Sequence, residues 1–226
     1  MEIGILSVII FLPMVMAFSL LLLPVNAAWT RAIAFSVSVV IFCLAFYIYQ
    51  QFDPHGGMQF REYHPWIKSY GIHYSLGLDG FSLIVLMLIA TLIPSAYLLL
   101  WKNNRSKSYW ISMLLIQSGI SGTLFSLDLI LFYFFWEAML LPVFMIIGLF
   151  GSGNRVFSTL KVTIYTIMGS LFMFVSILYL GVAYYYEFAL WSFEMSDIAQ
   201  LSTLHHEQKV LLFLGFMLAF SIKIPL

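Results

Sequence analysis

Two charged residues stand where charge is costly. Glu137 lies inside LILFYFFWEAMLLPVFMIIGLF, residues 129–150, whose only other ionisable group is Tyr133, and Lys223 lies inside a second apolar run, 210–226. A carboxylate near the centre of a bilayer costs roughly 2.5–3.5 kcal/mol on insertion scales, and intramembrane charges pair with one another or line ion paths. The chemistry open to such a pair is proton handling. Burial disfavours a charged ammonium and a nearby carboxylate favours it, so bringing Glu137 closer or taking it away would load or unload a proton on Lys223. The competing reading is a static ion pair that fixes how two helices pack. Pro225, two residues beyond the lysine, cannot donate to the carbonyl of Ser221, so the spacing predicts a helix broken at Lys223. Freed carbonyls of this kind bind cations or water at ion sites in transporters. Pro142 predicts a kink in the helix that carries Glu137. Lys161 opens another apolar span and reads as a snorkelling anchor ahead of a pathway residue.

The elements that must position these residues are membrane spans. Apolar residues make up 62% of the 226, charged residues 9%, and mean hydropathy is +0.99, against about 25% charged in a soluble domain. Formal net charge is zero, so no global field points to nucleic acid. Cys43 is the single cysteine, which excludes an intrachain disulfide and a metal or haem site built on cysteines. The five histidines all fall in two loops, without metal-ligand spacing. There is no phosphate-binding glycine loop and no G-x-S-x-G elbow, so soluble nucleotide or hydrolase chemistry has no support.

Runs of about 20 apolar residues predict an all-α membrane protein of about seven transmembrane helices, near 3–23, 31–49, 79–100, 110–126, 129–150, 161–185 and 209–226. The first run lacks a basic start and a small-residue cleavage site and is expected to be a retained helix. The stretch 110–150 is too long for one helix, and Ser126-Leu127-Asp128 is its polar interruption, so a tight turn is expected there. Asp128 and Asp79 read as N-caps. With the N-terminus outside, the inside segments hold Arg31, Lys102, Arg105, Lys107, Arg155 and Lys161 and no acid, whereas the acids collect outside. That segregation predicts N-out and C-in. The outside loop 50–78 partly alternates apolar and polar residues, as a short hairpin would, and 186–208 reads as a short amphipathic surface segment. Two parts follow: 1–109, with the first three helices, and 110–226, with the rest.

The motifs FFWEAMLLP (134–142), KVTIYT (161–166) and AFSIKIP (219–225), with SLGLDGFSL (75–83) upstream, resemble the antiporter-like membrane subunits of respiratory complex I, the proton-pumping NADH:quinone oxidoreductase, and within them the chain M or subunit 4 branch. The resemblance implies that Glu137 and Lys223 match the family's glutamate–lysine pair, with Lys223 on a discontinuous helix in the first part of an inverted-repeat fold. It implies proton translocation driven by redox chemistry elsewhere. No cofactor is expected in this chain; NADH, FMN, iron–sulfur clusters and quinone would belong to partner subunits. The expected partners are membrane subunits of the chain L and N types and the lipid bilayer. The expected location is a bacterial inner membrane, or the mitochondrial inner membrane if the chain is organellar. Family members carry about twice as many helices in two inverted repeats, so the chain is expected to be a fragment of such a subunit or a truncated, non-conducting one. The other functions weighed are a subunit of a multisubunit sodium/proton antiporter and a structural membrane scaffold with a static ion pair.

Overall fold

The computed structural model describes residues 4–103 and 105–224. Its long helices are α1 (Ile5–Leu22), α2 (Ala27–Gln51), α3 (Gly80–Leu99), α4 (Lys107–Phe125), α5 (Leu129–Ala138), α6 (Leu140–Phe150) and α7 (Arg155–Phe188). The short α8 (Met195–Ile198) and then α9 (His206–Lys223) follow. Among the described residues, helix is found in each of the apolar runs, and five stretches are long and apolar enough to cross a membrane: α1, α2, α3, α5 with α6, and α7. At 34 residues, α7 is about 51 Å long and overruns the expected 161–185 at both ends.

α4 is less apolar for a physical reason. It packs against α1, α2, α5 and α6, and it buries Ser112, Gln117, Ser118, Gly119, Ser121 and Gly122 beside Trp110, Leu114 and Phe125. A helix surrounded by helices gains from small residues, which allow close approach, and from polar ones, which bond across the interface. Ser118 Oγ donates to the Ile10 carbonyl at 2.7 Å and Ser38 Oγ to Gln117 Oε1 at 3.1 Å. Lipid-facing helices do the reverse, and the exposed side chains of α1, α3 and α7 are largely Leu, Ile, Val and Phe.

The chain is mostly helical, and the hairpin expected in the loop 50–78 is present as two antiparallel strands, β1 (Gln59–Ile67) with β2 (Ile72–Leu78). Glu62 pairs with Leu76 and Pro65 with His73, with irregularities on either side. Gly71 turns the chain at φ 60°, and a Cβ there would collide with the Trp191 carbonyl, so glycine is required twice over.

The hairpin ties one end of the helix bundle together. Glu62 accepts from the backbone N–H of Leu6 at 2.8 Å and Ser7 at 3.2 Å, supplying the cap that Gly4 cannot give α1. Ser7 Oγ also bonds the Glu62 carboxylate and lies 2.7 Å from the Tyr74 hydroxyl. Burial pushes the Tyr74 phenol up to about 12. The expected turn at 126–128 lies against this hairpin. Leu127 N donates to the Ser75 carbonyl, Leu129 N to Phe193 O and Met195 N to Leu127 O. Asp128 caps α5, accepting from Ile130 N and Leu131 N, and also takes His73 N. Asp79 caps α3 through Ser82 N at 2.7 Å.

The opposite end is basic. Arg31 bonds the Trp101 carbonyl and lies 4.4 Å above its ring, Lys107 Nζ donates to the Leu23 carbonyl at 2.6 Å, and Arg155 donates to Leu149 O at 3.1 Å. Cations here meet the C-terminal carbonyls of helices, the favourable end of the dipole.

Candidate functional site

The helix carrying Glu137 is interrupted at Met139, between α5 and α6. Pro142 accounts for the break: it has no N–H to offer the Ala138 carbonyl, and it suits the first turn of α6, where an N–H would be unsatisfied anyway. The distortion expected from Pro142 coincides with this one-residue interruption at Met139, two residues after Glu137. Met139 links the two halves, its N–H reaching the Phe135 carbonyl at 3.3 Å and its carbonyl accepting from Val143 N at 3.3 Å. On the α4 side, Gly122 leaves room for the Phe135 ring and Gly119 for the Met139 side chain.

α9 reaches this break by lying along α7. Gly169 of α7 faces Ala219 and Ile222, and Gly215 of α9 faces the Phe172 carbonyl and Ser176. Phe220 then packs edge-on against Trp136, centroids 5.3 Å apart, while Phe132 stacks on the same indole at 5.6 Å. One turn of helix after these contacts, Lys223 Nζ donates to the Trp136 carbonyl at 2.8 Å and lies 4.0 Å from the centre of the Trp136 ring.

No hydrogen bond joins Glu137 and Lys223. The ammonium is satisfied by the residue just before Glu137, and Glu137 Oε1 is buried with no hydrogen-bond partner. The carbonyl near the lysine comes from the Glu137 helix, whereas the sequence pointed to carbonyls freed by Pro225. Helix α9 ends at Lys223, with Ile224 as its cap, and the break expected from Pro225 lies outside the described residues. Lys161 is not part of this group. It is exposed on α7, its Nζ 6.0 Å from the Tyr165 ring.

Three residues that sequence reasoning passed over matter to the arrangement. Trp136 contributes a ring and a backbone carbonyl, and only the ring has a sequence signal. Glu62 and Glu194 read as loop acids. Glu194 is nevertheless 6% exposed with Oε2 unpartnered, and burial pushes its carboxyl up. Asp128 is pushed up by burial as well, partly held back by its backbone N–H donors.

Long apolar helices, one of them interrupted beside a half-buried acid, are features of a membrane chain of the antiporter-like fold. Residues 126–226 match the family model described as NADH:quinone oxidoreductase/Mrp antiporter, transmembrane. The chain is similar to the antiporter-like membrane subunits of complex I. In particular, it is 35% identical over 239 residues to NADH-quinone oxidoreductase subunit M of Rhodobacter capsulatus, an alignment covering 99% of this chain and 46% of the relative. Among solved structures, a chain of respiratory complex I from Thermus thermophilus superimposes with a TM-score of 0.82 at 27% identity, covering 98% of this chain and 44% of that one. A chain of the Mrp complex from Dietzia shares the fold, with a TM-score of 0.73 at 17% identity over 97% of this chain and 23% of that one. The chain spans about half the length of the curated relatives it matches, 46% for the Rhodobacter protein.

Proposed function

We propose that this chain serves proton translocation in an NADH:quinone oxidoreductase, with Glu137 and Lys223 as the proton-handling pair. The observation that carries the reading is the geometry at the Met139 break. A lysine ammonium rests on a carbonyl one residue from a half-buried glutamate whose Oε1 is enclosed and has no partner. A side-chain swing from that carbonyl to the carboxylate would change how strongly Lys223 holds its proton, with no bond made or broken in the backbone. Pro142 keeps the helix interrupted where the swing is needed, and Lys161 anchors α7 from the basic end. Seven spans, N-out and C-in, fit the basic loops at one end and the buried acids at the other.

In this reading electron transfer happens elsewhere. NADH, FMN, iron–sulfur clusters and quinone are held by partner subunits, and membrane subunits of the L and N types adjoin this one in a bacterial or mitochondrial inner membrane. The test reconstitutes the whole complex with Glu137→Ala or Lys223→Ala. The proton-to-electron ratio should drop in an enzyme that assembles normally, and an unchanged ratio would remove both residues from the path. The family description also covers Mrp antiporters, so sodium/proton exchange is the second reading. Transport driven by an ion gradient with no dehydrogenase present would favour it over NADH-driven pumping.

A further inference from the structure

Trp136 does two things at once to Lys223. Its carbonyl accepts the ammonium at 2.8 Å and its indole face lies 4.0 Å from the same nitrogen. The carbonyl belongs to the last turn of α5, where backbone acceptors lack partners within their own helix and the dipole presents its negative end. The ring is clamped, stacked on Phe132 with planes 29° apart and met by Phe220 at 63°. A clamped aromatic face above a half-buried cation is a preformed seat.

We infer that Trp136 is a positioning residue, holding the Lys223 ammonium in a parked place next to Glu137 but apart from it. This rests on the reading of Glu137 and Lys223 as a proton-handling pair. The parked place and the carboxylate belong to adjacent residues, so they compete for one cation, and the indole sets the balance. An aromatic face contributes enough to change occupancy of the parked place by about threefold to thirtyfold. Weakening the face leaves the lysine biased toward Glu137, and the swing that pumping needs is lost.

Fluorinated tryptophans at position 136, in the full-length subunit within the assembled complex, weaken the ring's hold on a cation stepwise while nearly preserving its shape. The proton-to-electron ratio should fall with each added fluorine, and Trp136→Phe should retain more of it than Trp136→Leu. In a Lys223→Ala background the fluorine series should do nothing further. A flat series, in a complex where Glu137→Ala and Lys223→Ala do lower the ratio, overturns the role of Trp136 and leaves the pair standing. A stepwise fall that persists without the lysine assigns the ring to packing and also overturns it. Unchanged ratios in the Glu137 and Lys223 variants themselves reject the pair, and with it the parked position.

Discussion

Asp128 and Glu194 face each other across a single antiparallel bridge, and both are withdrawn from solvent. Burial raises both carboxyls above their ordinary range. A folded-state value above the unfolded one means that the contribution to stability is complete at acid pH, near and below about 4, and is lost as pH rises through the raised value. Glu194→Gln should therefore slow hydrogen exchange at the bridging amides of Leu129 and Met195 near neutral pH and make no difference at about pH 4. Faster exchange in the variant at neutral pH would contradict the assignment.

Asp128 has a second, opposite value as an acceptor of three backbone N–H groups, from Ile130, Leu131 and His73. Asp128→Ala strands all three and should cost about 2–4 kcal/mol. Asp128→Asn keeps the helix cap and should cost less. Unfolding in mixed detergent micelles would rank the two, and equal losses would mean that the cap contributes little.

Glu62 closes the N-terminus of α1 from 56 residues away. Glu62→Ala should free the amides of Leu6 and Ser7, a loss of about 1–2 kcal/mol that exchange measurements read as roughly fivefold to thirtyfold faster opening of the first turn. Protection unchanged from wild type would show that another group supplies the cap.

Gly122 lies against the Phe135 ring so closely that an added Cβ would overlap it. Gly122→Ala should push α5 away from α4 at a cost of about 1–3 kcal/mol, and because Phe135 is two residues from Glu137 it should lower coupled proton transport in the complex too. An assembled variant with wild-type stability and transport would show that the ring yields without cost.

The sequence made the long helices legible because lipid demands long apolar runs, and it made the turn at 126–128 legible because Asp128 is a cap within such a run. Glu137 and Lys223 stood out for the same reason: charge in apolar surroundings is conspicuous. What remained hidden belongs to the backbone or to tertiary packing. No residue type announces that the Trp136 carbonyl will receive a lysine. Glu62 and Glu194 looked like solvated loop acids because their burial comes from contacts with α1 and with the 126–128 turn, far away in the chain. Pro142 signalled a distortion but not that the interruption would fall at Met139.

The polar lining of α4 bears on how the chain enters the bilayer. With α4 as a span, Ser118 and Gln117 would each face hydrocarbon if that helix were inserted alone, and an unsatisfied polar group there costs several kcal/mol. Their partners, the Ile10 carbonyl and Ser38, lie on α1 and α2, which leave the ribosome earlier. Synthesis order therefore delivers the receiving surface before the helix that cannot do without it.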